Sequence, residues 1–190
     1  MVSEEPQPAD LERWNPTGLE RLIWVVLGLA IFIFLFGVYT NIALAGNTIT
    51  IGFDDLVIAI LTINALWLLH QFLHGFALSR CGGKPLYRLA WIGKAIPIAQ
   101  VSSTGTNLSR GQFVLVAVLP FLVISGAGLV AVAILTGKSA LPLALALHGA
   151  FCVRDLWSIG VTWRQSTATV FRFEPDGVYV ARLANETGAA

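Results

Sequence analysis

Residues 56–78 read LVIAILTINALWLLHQFLHGFAL, a run that is apolar enough to cross a bilayer and yet contains two histidines. A membrane-spanning helix needs about 20 mostly apolar residues, because the hydrocarbon core is about 30 Å thick. Three further segments meet this requirement, at residues 22–44, 112–136 and 140–163. The sequence therefore predicts an all-α integral membrane protein with four transmembrane helices.

The composition of the whole chain supports this class of protein. Hydrophobic residues make up 56% of the 190 residues, and charged residues only 12%. Charged residues make up about 25% of a typical soluble domain. The net charge of +1 gives no electrostatic support for a nucleic-acid partner. We therefore expect the protein to interact with membrane lipid and not with nucleic acid.

Basic residues in the loops predict the orientation, because short cytoplasmic loops carry an excess of lysine and arginine. The loop between the first two spans carries none, whereas the next loop carries Arg80, Lys84, Arg88, Lys94 and Arg110. We therefore predict a multi-pass protein of the cell (inner) membrane with both termini in the cytoplasm. Residues 1–21 would form a polar tail, residues 22–163 the transmembrane domain, and residues 164–190 a cytoplasmic hairpin and tail.

Two segments outside the spans have the character of strands. Residues 167–182, TATVFRFEPDGVYVAR, alternate apolar and polar side chains around a Pro-Asp-Gly turn. This pattern predicts a small cytoplasmic β-hairpin after the last helix. Residues 86–101, LYRLAWIGKAIPIAQV, allow two interpretations, a second strand pair or a segment lying in the membrane interface.

All three histidines lie inside predicted spans, where ionisable side chains are costly and usually mark a function. His70 and His74 are four residues apart and share one helix face. Two imidazoles in this arrangement can bind one divalent metal ion. At a rise of about 1.5 Å per residue, Asp155 lies between the two histidines in depth. Antiparallel packing of the second and fourth spans would bring these three side chains together as zinc ligands.

Two further residues are candidate additional ligands, because Cys152 and His148 follow helical spacing from Asp155. His148 would lie about 10 Å beyond Asp155 on a straight helix. We therefore expect Cys152 to approach a shared ion more easily than His148, unless Gly149 breaks the helix. The alternative is a structural hydrogen-bond network that joins two helices without a metal.

Four stretches together resemble a known family. They are LLHQFLHGFALSRCGG at 68–83, SRGQFVLVAVLPFLVISGAG at 109–128, LHGAFCVRDLWSIG at 147–160 and ATVFRFEPDGVYV at 168–180. Their order and spacing resemble the "putative zincin peptidases", a bacterial and archaeal family of unknown function that is related in architecture to site-2-protease-like intramembrane metallopeptidases. The family pattern is His-Glu-x-x-His on one span, a proline-containing span, and an aspartate on the last span before a strand pair.

The resemblance implies that His70, His74 and Asp155 are metal ligands and that position 71 carries the general base. This chain has Gln71 there. A zincin base takes a proton from the water that the metal activates and passes it to the leaving amine. An amide cannot accept and return a proton near neutral pH. We therefore expect little peptidase activity, and a catalytically degenerate protein that serves as an accessory or scaffold subunit alongside other integral membrane subunits.

Two alternative functions remain open from the sequence. The first is an active intramembrane zinc metallopeptidase that uses a base other than position 71. The second is a tetrapyrrole-binding subunit of an energy-transducing complex, because intramembrane histidines also ligate such groups.

Overall fold

The computed structural model of the chain describes residues 12–44, 52–92, 96–103, 105–135, 140–165, 169–174 and 177–182. Within these residues the helices are α1 (Gly18–Leu44), α2 (Phe53–Arg80), α3 (Arg110–Ile134), α4 (Ala140–Phe151) and α5 (Val153–Trp163). The strands are β1 (Glu12–Arg13), β2 (Leu86–Ile92), β3 (Ile96–Ser102), β4 (Thr169–Glu174) and β5 (Gly177–Arg182).

Four helical segments in the described residues are long and apolar enough to cross a membrane: α1, α2, α3, and α4 with α5 taken together. This confirms the four predicted helices and is consistent with a multi-pass membrane protein. The orientation with both termini in the cytoplasm stays a prediction. Capping explains where α3 begins, because the Ser109 hydroxyl accepts from the Gln112 amide while the Gln112 side chain accepts from the Ser109 amide.

The last predicted span is interrupted at Cys152, where α4 ends and α5 begins. The backbone hydrogen bonds continue through this point, since Cys152 N–H donates to His148 O at 3.1 Å and Leu156 N–H donates to Cys152 O at 3.0 Å. Gly149 lies inside α4 and does not break it. The helical pattern of backbone hydrogen bonds therefore continues from α4 into α5, and the two short helices together form one span.

The description of the chain as all-α is incomplete, because the described residues also contain two antiparallel sheets. Strands β4 and β5 form the predicted hairpin, although residues 175 and 176 of its turn lie outside the described residues. Strands β2 and β3 form a strand pair, in which Leu89 of β2 lies opposite Ala99 of β3, and residues 93–95 between them lie outside the described residues. The end of the predicted N-terminal tail joins the first sheet, with Glu12 opposite Val180.

A buried apolar cluster joins the C-terminal sheet to the ends of α2 and α3. The Phe113 ring lies 4.7 Å from the Phe171 ring and 5.0 Å from the Phe173 ring, measured between centroids. Leu108 and Phe171 exchange two backbone hydrogen bonds of 2.8 and 3.0 Å. The other buried members of this cluster are Ala77, Leu78, Val116 and Val178. This packing holds the C-terminal sheet against the start of α3 and against the end of α2, the helix that carries His70 and His74.

Replacing Phe113 with alanine should destabilise the protein by about 3–5 kcal/mol, because the ring is fully buried and its removal leaves a cavity between α3 and β4. The free energy of unfolding of the purified chain in detergent measures this effect. Phe72→Ala is the matched control, because the Phe72 ring is more than half exposed on α2. A similar loss of stability in both variants would show that the buried position of Phe113 in this cluster makes no special contribution to the free energy of unfolding.

Candidate metal centre

His70, His74 and Asp155 converge on one point between α2 and α5. The His70 Nε2 and Asp155 Oδ2 atoms are 3.3 Å apart, and the His74 Nε2 and Asp155 Oδ2 atoms are 3.6 Å apart. The two imidazole Nε2 atoms are 2.9 Å apart. Both histidines are buried, whereas the Asp155 side chain keeps a quarter of its surface exposed. The sequence argument from depth therefore selected three side chains that the fold brings together.

These separations suit a tetrahedral zinc site. Nitrogen and oxygen ligands bind zinc at about 2.0–2.2 Å, so two such ligands on a tetrahedron lie about 3.4 Å apart. The distances of 3.3 and 3.6 Å lie close to that value, whereas the Nε2–Nε2 distance of 2.9 Å is shorter and is that of a hydrogen bond. The three atoms form one group that could hold a metal ion. A zinc ion at this point would supply Lewis-acid chemistry to a water molecule in its fourth position.

The second nitrogen of each histidine has a defined partner, which fixes the orientation of the rings. His74 Nδ1 lies 2.8 Å from the Val116 carbonyl oxygen, so this nitrogen carries the proton and donates it. The His74 Nε2 lone pair is thereby free for a metal. His70 Nδ1 lies 3.1 Å from His148 Nε2. His148 therefore lies behind His70, on the opposite side of the ring from Asp155.

Cys152 belongs to the same side as His148. Its Sγ atom lies 3.8 Å from His70 Nδ1 and 3.7 Å from His148 Nε2. We expected Cys152 to approach an ion shared with Asp155. The structure instead groups Cys152 with His70 and His148. Because the backbone hydrogen bonds continue through Cys152, His148 and Cys152 lie about two turns and one turn before Asp155, and they meet the His70 ring at a different height from Asp155.

Gln71 does not point freely into the cavity, because its Oε1 atom accepts the Val101 N–H at 3.1 Å. Trp67, one helical turn earlier, donates its indole N–H to the Ala99 carbonyl oxygen at 3.0 Å. These two groups of β3 face α2, since β2 pairs with the other edge of the strand. The sequence reasoning missed this role of Trp67, and its spacing of four residues from Gln71 was the signal that both lie on one face.

A cavity of about 170 Å³ opens beside the candidate metal centre. It lies between α2, α5, the free edge of β3 and the C-terminal sheet. Its polar side chains among the described residues include His70, His74, Asp155, Gln71 and Arg154. Its apolar wall includes Trp14, Trp67, Phe151, Phe173 and Val178. The candidate metal centre is therefore accessible from one side, and both sheets contribute to the space in front of it.

The comparisons with known proteins agree with this geometry. One protein family, described as "Putative zincin peptidase", matches residues 63–170, which is more than half of the chain. The matched segment contains both histidines of α2, Gln71 and Asp155. No curated protein and no solved structure matches the chain. The extent of the family match shows that the chain belongs to the "Putative zincin peptidase" family.

Proposed function

We propose that this protein is a catalytically degenerate zincin that retains the metal centre and acts as an accessory or scaffold subunit of a larger membrane complex. The observation that carries the proposal is Gln71. It occupies the position of the general base between the two histidines, and its carboxamide oxygen accepts the Val101 N–H. At this position the side chain holds strand β3 and has no basic group to offer to a water molecule.

The cavity supplies no evident substitute for the missing base. Among the described residues that line it, Asp155 is the one carboxylate. Its Oδ2 atom lies within 3.6 Å of both imidazole Nε2 atoms, as expected for a third metal ligand. General acid–base catalysis is worth about 10²–10⁴-fold in rate. A chain without this contribution would retain the shape of the site and lose most of its hydrolytic rate.

The outer surfaces of the helices support a role that depends on lateral packing. Large apolar side chains remain exposed along α1 and α2, among them Val25, Phe34, Leu61 and Leu68. Such surfaces face lipid or other membrane-spanning helices. Outside the four spans, the described residues form two small sheets. Association with other integral membrane subunits is therefore the interaction that we propose.

The tagged full chain, purified from its native membranes in a mild detergent, should bring a larger integral membrane partner with it in stoichiometric amount. The Gln71→Ala variant should retain this association, because the proposed role does not use position 71 chemically. A chain that purifies without any membrane partner, and that cleaves a membrane-anchored reporter in a His70-dependent way, would replace our proposal with that of an active intramembrane metallopeptidase.

The tetrapyrrole alternative gains no support from the cavity. Pockets for drug-sized ligands have volumes of about 300–1,000 Å³. The cavity beside His70 and His74 measures about 170 Å³. Visible absorbance of the purified protein tests this alternative directly, and we expect none.

A further inference from the structure

The inner side of the His70 ring carries a second set of metal-ligating atoms, which the proposed function does not use. His70 Nδ1, His148 Nε2 and Cys152 Sγ form a triangle with sides of 3.1, 3.7 and 3.8 Å. All three residues are buried, with exposed fractions of 2%, 1% and 0%. A polar triangle of this kind is unusual in the interior of a membrane-spanning bundle and calls for a chemical explanation.

The distances in this triangle match a tetrahedral metal site. Around zinc, nitrogen ligands at about 2.0–2.1 Å and a sulfur ligand at about 2.3 Å are separated by about 3.4–3.6 Å. The three atoms also form a group that could hold a metal ion. The donor set is two imidazole nitrogens and one thiolate sulfur. Soft donors of this type select copper(I) or zinc, and they disfavour calcium and magnesium.

We propose that His70, His148 and Cys152 form an inner metal position for a thiophilic ion, and that the shared His70 ring makes it mutually exclusive with the outer position at His74 and Asp155. The proposal extends the metal centre and does not depend on whether the chain is catalytic. Copper(I) suits the inner position best. Its single positive charge and one thiolate cancel, so the occupied position is neutral, as burial in an apolar interior requires.

The mutual exclusion follows from the chemistry of a neutral imidazole, which has one lone pair and one N–H. With an ion in the outer position, His70 binds through Nε2 and donates its Nδ1–H to His148. With an ion in the inner position, His70 binds through Nδ1 and donates its Nε2–H to the ligands of the outer position, His74 Nε2 at 2.9 Å and Asp155 Oδ2 at 3.3 Å. A histidine ligand normally donates its other N–H to a carboxylate or similar acceptor. When one position holds an ion, His70 therefore donates its remaining N–H to a ligand of the other position.

Occupation of the inner position has a defined proton balance. The Cys152 thiol loses its proton to solvent as the metal–sulfur bond forms, and both imidazoles remain neutral. No oxidation or reduction is involved when copper is supplied as copper(I). The movement of an ion from the outer to the inner position requires that the His70 proton changes from one ring nitrogen to the other and that the Cys152 thiol releases its proton to solvent.

The test uses the full chain in detergent, titrated without oxygen with copper(I) against a competing chelator. X-ray absorption at the copper edge should show one sulfur and two nitrogen neighbours, at about one copper per chain. Cys152→Ser should lose the sulfur neighbour and weaken copper binding by at least about tenfold, and His148→Ala should weaken it similarly. Cys81→Ala is the matched control and should change neither, because Cys81 lies at the end of α2 outside the triangle.

Two results would overturn the proposal. The first is a wild-type copper spectrum without sulfur, or a sulfur neighbour that survives Cys152→Ser. The second is a chain that keeps one zinc and one copper together, since mutual exclusion requires zinc to leave as copper enters. Asp155→Asn separates this proposal from the outer site, because it should remove most of the zinc while copper keeps its sulfur neighbour, since an asparagine oxygen can still accept the His70 Nε2–H. Size-exclusion profiles and circular dichroism of each variant identify any loss of folding.

Discussion

Replacing Gln71 with glutamate should turn this chain into a zinc-dependent peptidase, with cleavage faster than that of the wild-type protein by about 10²–10⁴-fold. The variant restores the His-Glu-x-x-His pattern on α2 and places a carboxylate beside both candidate ligands. A carboxylate oxygen can still accept the Val101 N–H, which lies 3.1 Å from the present amide oxygen. We therefore expect the substitution to leave the position of β3 unchanged.

The measurement is the zinc-dependent cleavage of an unstructured reporter segment that is fused to a membrane anchor and reconstituted with the protein. The wild-type protein is the matched control, because glutamine and glutamate have the same side-chain length and differ in the carboxylate. Activity that appears in Gln71→Glu should vanish when His74→Ala is added. Equal activity of the wild-type protein and Gln71→Glu would show that position 71 is not the group that limits hydrolysis.

The apolar runs were sufficient to predict the four helices, because length and hydropathy alone determine whether a segment can cross a bilayer. The β4–β5 hairpin followed from the alternation of side chains around a Pro-Asp-Gly turn. The pairing of Glu12 with Val180 could not be predicted in this way. A two-residue strand has no periodicity of its own, and its position depends on the sheet that it joins.

In the site, too, features within one helix could be predicted from the sequence, whereas contacts between helices could not. Helical spacing and depth were enough to select His70, His74 and Asp155. They gave no information on the side chains that hold the two rings, because the contacts of His70 with His148 and of His74 with the Val116 carbonyl are made across helices. The role of Gln71 at the edge of β3 was hidden for the same reason.

Replacing Asp155 with asparagine should remove most of the zinc from the protein. Apparent binding free energies of structural zinc sites are about 10–16 kcal/mol. The share of one ligand in four is then about 2.5–4 kcal/mol, or about a hundred- to a thousandfold in affinity. Zinc content after gentle purification, with a competition titration against a chelator, measures the effect. Asp54→Asn is the matched control, because Asp54 lies in the first turn of α2, far along the helix from both histidines.

This substitution also separates a metal centre from a hydrogen-bond network. Asparagine retains an acceptor oxygen at the same place, so it can still accept a hydrogen bond from either imidazole and preserve much of a network. It lacks the negative charge and the ligand strength of a carboxylate toward zinc. A metal centre therefore predicts a large loss of zinc with a small change in unfolding free energy of the zinc-free protein. Wild-type protein with less than about 0.1 zinc per chain would instead favour the network, because a tight structural site survives gentle purification.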